Sequence, residues 1–141
     1  AWGLGMVVVK SAGNNGPSKR TITSPAEADG VIVVGATNLA GTKIADYSSR
    51  GPAGSLKRPH LVAPGGGDDG SLVCALPNGV FGNAGQGTSY AAPQVAGAVA
   101  LLREETPSIT PDQVREKLTG SAKSLSGVAV DAQGSGLIQL G

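Results

Sequence analysis

The tract GQGTSYAAPQVAGAVALL, Gly85 to Leu102, constrains this chain more than any other stretch. It opens with two Gly-led steps and a Thr-Ser pair. It then turns into Ala, Val, Gly and Leu with almost no polar side chain. The Ala and Leu content predicts a helix from Tyr90 to Leu102. Ala91, Ala92, Ala96, Gly97, Ala98 and Ala100 remove bulk on every face, so this helix is expected to be enclosed on all sides. Thr88 or Ser89 can cap it, because a hydroxyl accepts from orphan N–H groups of the first turn. Pro93, four residues after Ser89, deletes the hydrogen bond that would tie up the Ser89 carbonyl. A capping serine explains most of this pattern. An enclosed helix carrying a hydroxyl at its N-terminus, after Gly-x-Gly, is also a good nucleophile mount. The dipole and free N–H groups at that end favour a developing negative charge.

Such a helix needs sheet to lie against. MVVV (Met6 to Val9) and GVIVVGA (Gly30 to Ala36) are short apolar runs bounded by turn residues, as expected of strands buried on both faces of a parallel sheet. PHLVA (Pro59 to Ala63) is a third, shorter candidate. SLVCALP and VFGNA, joined through Asn78-Gly79, predict a β-hairpin. TPDQVREKLTGSA (Thr110 to Ala122) predicts an amphipathic helix with Thr110 as N-cap, Pro111 at the first helical position and Gly120 as its stop. VAV and LIQL near the end predict a closing strand pair. The fold class is therefore α/β, a parallel sheet flanked by helices. The 141 residues suffice for one domain.

Composition narrows the function classes. With 23 Gly but one Trp, two Tyr and one Phe, the core must be packed from Val, Ile, Leu and Ala with backbones close together. Net charge is +1 and no Lys/Arg cluster interleaves with aromatics, so a nucleic-acid partner is not expected. No run approaches the roughly 18 apolar residues of a membrane span. The opening AWGLGMVVVK lacks a basic leader and a cleavage site, so no signal peptide is read in it. The single Cys74 excludes an internal disulfide and a Cys-based zinc site, and is expected to be a buried structural thiol.

GTSYAAPQVAGAVALL resembles the serine-nucleophile segment of the subtilisin family, whose pattern is Gly-Thr-Ser-x-Ala-x-Pro-x-Val-Ala-Gly. AGNNG (Ala12 to Gly16) resembles that family's oxyanion-hole segment. DYSSRGP (Asp46 to Pro52) and VAPGG (Val62 to Gly66) resemble its connecting stretches, and GSGLIQL (Gly134 to Leu140) its C-terminal strand. The motifs come in one order, with Ser89 lying 75 residues after Asn14. The resemblance implies a serine endopeptidase with Ser89 as nucleophile. The Asn14 amide and the Ser89 backbone N–H would then be the oxyanion donors, and Ser11, Ala12 and Gly13 one wall of the primary specificity pocket. On its own, Asn14 in Gly-Asn-Asn-Gly reads first as an Asn in a left-handed turn; the other motifs turn that reading to the oxyanion role, and Asn15 keeps the plain turn reading.

A triad also needs a base and a carboxylate that orients it. In the family both precede the oxyanion asparagine, and neither motif occurs here. The only histidine, His60, falls in a connecting strand where many members carry an acid, and a structural or surface role is expected for it. Gln94 stands where members often have a non-catalytic histidine. The chain is therefore expected to be the C-terminal part, residues 1–141, of a single peptidase domain whose N-terminal strands and helices are absent, and to be inactive alone. Its expected partners are a peptide or protein substrate, the missing N-terminal part, and copies of itself. Asp68 and Asp69 in GGGDDGS could hint at calcium, as relatives often bind it, but their spacing matches no ligand pattern and a solvated turn is expected. No cofactor is required. The resemblance implies a secreted protein. Two alternatives stand beside the protease: a non-catalytic binding or scaffolding module of the same fold, and a processed subunit that needs a separate N-terminal chain.

Overall fold

The computed structural model describes residues 1–52 and 57–140. Three strands form a parallel sheet: β1 (Val9–Ser11), β2 (Ile32–Thr37) and β3 (Leu61–Pro64), in the order β1-β2-β3. Val9 pairs with Ile32, and Val34 with Leu61. β2 is the middle strand, and all six of its residues are buried. Its alternation divides the core. Ile32, Val34 and Ala36 point to one side, with Ala91, Val95, Ala98, Val114 and Leu118. Val31 and Val33 lie in a smaller cluster with Ala12, Ile22 and Ala26. Each large aliphatic side chain so buried contributes roughly 1.5–3 kcal/mol.

Two helices cover the larger cluster: α1 (Thr88–Glu105) and α2 (Pro111–Ser121), with a short α3 (Val130–Gln133) near the end. α2 starts as its sequence dictates. The Thr110 hydroxyl accepts from the Gln113 N–H while the Gln113 side chain accepts from the Thr110 N–H, and Pro111 follows the cap. An antiparallel hairpin, β4 (Leu72–Leu76) and β5 (Val80–Gly85), precedes α1. Asn78 and Gly79 both take positive φ at its turn, 67° and 73°, as Asn-Gly requires.

Five details differ from the sequence expectation. The first strand is Val9–Ser11 and not MVVV; pairing begins where the Val8 carbonyl accepts from the Ile32 N–H. Gly120 lies inside α2, which runs on to Ser121. VAV is no strand, since Val130 opens α3; of LIQL, Leu137 alone forms bridges, to Val62 and to Lys123. Cys74 is half-buried, because the hairpin has no second layer over it and Val73, Val80 and Phe81 stand exposed. Finally, α1 is enclosed on one side only. Thr88, Ala91, Val95, Ala98 and Val99 are buried, whereas Pro93, Ala96, Gly97, Ala100 and Leu101 are exposed. The sheet and α2 offer partners for a single face of it.

Candidate active site

The site lies where β1 ends and α1 begins. The chain leaves β1 at Ser11, and the Ala12 N–H donates to the Val34 carbonyl, holding the loop to β2 for one more residue. Gly13 then turns the chain at φ 106°, a conformation that glycine adopts without strain. Asn14 follows, exposed, and meets the first residue of α1.

Asn14 Oδ1 accepts two hydrogen bonds from Thr88, from the backbone N–H at 3.0 Å and from the hydroxyl at 2.8 Å. The Thr88 hydroxyl accepts in turn from the Gly13 N–H at 3.3 Å. This fixes the orientation of the Asn14 amide by donor logic. A backbone N–H only donates, so the atom facing it must be the carbonyl oxygen. The amide Nδ2 therefore points away from Thr88, and no acceptor among the described residues holds it. Thr88 is almost wholly buried, so its end of this contact is fixed by packing.

A second layer straps the loop from below. The Ser49 N–H donates to the Gly13 carbonyl at 2.9 Å, and the Ser49 hydroxyl accepts from the Asn15 N–H at 3.0 Å. The Gly16 N–H donates to the Tyr47 carbonyl at 2.8 Å. The Tyr47 hydroxyl donates to the carbonyls of Gly65 and Gly66, and burial raises its pKa, which keeps it protonated as a donor. The Gly87 N–H donates to the Gly65 carbonyl at 2.9 Å. At Gly65 three segments close to contact. A Cβ there would stand 2.6 Å from Ala36 Cβ, 2.8 Å from the Gly87 oxygen and 2.9 Å from the Tyr47 hydroxyl, so only glycine fits. The Asp46–Pro52 stretch, read from sequence as a connection, thus buckles the Asn14 loop to the start of α1. Ser48 and Ser49 within it are fully buried, in a chain with few buried polar groups, and the sequence carries no sign of that burial.

Ser89 sits exposed in the first turn of α1, and its hydroxyl has no hydrogen-bond partner among the described residues. Neither it nor Thr88 caps the helix. Gly87 is the N-cap, without a side-chain bond, because the Thr88 hydroxyl is already taken by the Asn14 loop. Pro93 lies within α1 as expected, so the Ser89 carbonyl receives no helical bond from it. Gln94 ties α1 to β3 by donating to the Pro64 carbonyl at 2.6 Å. The Ser11 hydroxyl accepts from Lys10 at 2.8 Å, and Ala12 is buried beneath the loop.

His60 lies apart from this constellation. Its Nδ1 accepts from the Val33 N–H at 2.9 Å. Burial first, then Arg58 and Arg115, lower its pKa from 6.5 to about 4. Asp69 accepts from the N–H groups of Leu39 and Ala40 at 2.8 and 2.9 Å, which holds its carboxyl below the usual range. Asp68 pairs with Lys43 at 3.0 Å. Among the described residues no group of three or more His, Cys, Asp or Glu is placed to hold a metal ion. Nor is any described helix long and apolar enough to cross a membrane.

Comparison with known proteins places this geometry. The chain is 36% identical over 137 residues to serine protease AprX of Bacillus subtilis, covering 84% of this chain and 30% of that protein. It is 37% identical over 127 residues to subtilisin DY of Bacillus licheniformis, covering 89% of this chain and 42% of that one. Among solved structures, sphericase superposes with a TM-score of 0.83 at 31% identity, over 99% of this chain and 50% of its own. The CspB protease of Clostridium perfringens superposes at 0.75 and 32% identity, over 86% of this chain and 28% of its own. The chain thus spans half or less of the length of each of these relatives. The family model that matches covers residues 1–136, and it is that of the subtilases: the chain belongs to the subtilase family.

Proposed function

We propose that this chain carries the nucleophile and the oxyanion donor of a serine endopeptidase, with Ser89 attacking the peptide carbonyl. The observation that carries this reading is the orientation of the Asn14 amide. Attack on a carbonyl puts a full negative charge on oxygen, and donors fixed in advance stabilise it where water would have to reorganise. Asn14 meets that need, because Thr88 holds its oxygen and leaves its N–H groups free beside Ser89. The backbone N–H of Ser89, in the first turn of α1, is the second donor. Ser11, Ala12 and Gly13 run alongside and form one wall of the pocket for the substrate side chain. The base and its orienting carboxylate come from outside these residues, since His60 is committed to Val33. The substrate is a peptide or protein and the place of work extracellular, both on the strength of the family. No metal enters the chemistry assigned to these residues.

The test is fluorophosphonate labelling of the whole protein that contains this chain, followed by peptide mapping. A label on Ser89, lost in Ser89→Ala, is expected. An intact protein that takes no label would instead be a binding module of the same fold.

A further inference from the structure

The hairpin of β4 and β5 stands off the body of the molecule, with Val73, Val80 and Phe81 exposed on it. From Gly70 to Leu102 no residue carries a charge, so no ion pair ties the hairpin down. Chain continuity aside, a single hydrogen bond joins residues 72–85 to the rest of the described residues. The Tyr90 hydroxyl donates to the Ala84 carbonyl. Tyr90 is the residue that follows Ser89 in the first turn of α1.

This bond closes the segment from Ala84 to Tyr90 into a loop. Little within the loop stiffens it: Gly85 takes φ 107°, and Gln86 lies exposed between two glycines. Its inner end is anchored where the Gly87 N–H meets the Gly65 carbonyl at 2.9 Å. Its outer end, the root of the hairpin, is anchored by Tyr90. The Tyr90 ring lies along Gly85, where a Cβ would stand 3.5 Å from the hydroxyl oxygen and 3.8 Å from Cε2. The Tyr90 main chain is itself fixed. Its N–H donates to the Gly87 carbonyl at 3.0 Å, and its carbonyl accepts from the Gln94 side chain at 2.9 Å. A half-buried ring on a held backbone thus carries the one hydroxyl that holds the hairpin root.

The two ends of the loop face different parts of the site. A Cβ on Gly87 would stand 3.3 Å from Asn14 Nδ2, whereas Gly85 faces Tyr90. The wall formed by Ser11, Ala12 and Gly13 continues from Asn14. A peptide whose reacting residue is held by that wall therefore passes on over Gly85 towards the hairpin. We propose that Tyr90 is a positioning residue: through its bond to Ala84 it holds the hairpin root where the leaving-group side of the substrate passes. Its hydroxyl then serves recognition beyond the scissile bond and not the attack by Ser89. This inference rests on the reading of Ser89 as the nucleophile.

The test uses the whole protein that contains this chain, with two substrates. One is a peptide p-nitroanilide, which has no residue beyond the scissile bond. The other is the same peptide continued by a short run of alanine and leucine, since the hairpin offers uncharged, apolar surface. In Tyr90→Phe, kcat/KM for the continued peptide should fall about tenfold, mostly through KM, while the p-nitroanilide is turned over as by the parent. Fluorophosphonate should label Ser89 at the parental rate. Hydrogen exchange should rise across residues 72–85 and keep its parental level in α1. A variant impaired on both substrates alike or on neither, a slower label, or exchange rising as much in α1 as in the hairpin overturns this proposal alone. A parent that takes no label and cleaves neither substrate overturns the reading of Ser89, and this proposal with it.

Discussion

The side-chain oxygen of Asn14 is held by two donors of a single residue, the backbone N–H and the hydroxyl of Thr88, at 3.0 and 2.8 Å. One threonine therefore decides which way the Asn14 amide faces. In an enzyme with its full complement of catalytic groups, Asn14→Leu should lower kcat by about 10²–10³ with little change in KM, the scale known for subtilisin, a member of the same family. Asn15→Ala should be mild, because Asn15 engages Ser49 through its main chain. Steady-state kinetics of the two variants side by side checks this. Equal effects would mean that the donor has been misassigned.

Thr88→Val keeps the shape and the backbone bond but removes the hydroxyl. Asn14 is then held by one donor, and the Gly13 N–H loses its acceptor. A fall in kcat of about tenfold and a stability loss of about 1 kcal/mol are expected. A full-strength kcat in Thr88→Val would show that the amide needs no such support.

The chain alone should show no peptidase activity. A serine hydroxyl is a weak nucleophile without a base. The one histidine, His60, has a nitrogen bonded to Val33 and lines a cavity with Arg115, Glu116 and Thr119 of α2. Turnover of casein by the pure chain, abolished by Ser89→Ala, would contradict this.

Stability should fall in mild acid through His60. Above pH 6.5 the ring is neutral in both folded and unfolded states. As pH falls from 6.5 to about 4 the unfolded chain takes up a proton that the folded chain refuses, so stability drops across that window and levels off below it. The loss is at most about 3.5 kcal/mol, since each pKa unit is worth about 1.4 kcal/mol. Urea midpoints at the two ends of the window should show a smaller drop for His60→Gln than for the parent chain.

Self-association is expected of the isolated chain. β1 pairs with β2 alone and so forms a sheet edge. The outer face of α1 shows Pro93, Ala96, Gly97, Ala100 and Leu101 to solvent, with Leu4 and Met6 also exposed. Light scattering across a concentration series should show mass rising with concentration. A monomer at all concentrations would mean that these surfaces are tolerated in water.

The parts legible in the sequence were those fixed by local chemistry. β2 and β3 follow from apolar runs, α2 from the capping box at Thr110, and the hairpin from Asn78-Gly79. Asn14 and Ser89 were singled out through motifs, and in the structure the Asn14 loop lies against the first turn of α1. Three things were not legible. The role of Thr88 as the clamp on Asn14 depends on a contact across 74 residues, and locally its hydroxyl looked like a cap. The strapping by Tyr47, Ser48 and Ser49 rests on burial, which no short pattern reports. The one-sided exposure of α1 depends on how many neighbours the fold supplies, and a composition of small residues does not count them.

Gly13 and Asn14 meet Thr88 across almost the whole interval from β1 to α1, with β2, β3 and the hairpin in between. Contacts so remote along the chain form late, because the loop between them must be closed first. The amide and the serine then come into register only when everything between them is in place, so the site carries its own clock. A partly folded chain has the Asn14 loop and the start of α1 but not the Thr88 contact that joins them. Refolding followed in parallel by tyrosine fluorescence and by hydrogen exchange at the Thr88 N–H should show the latter protected last.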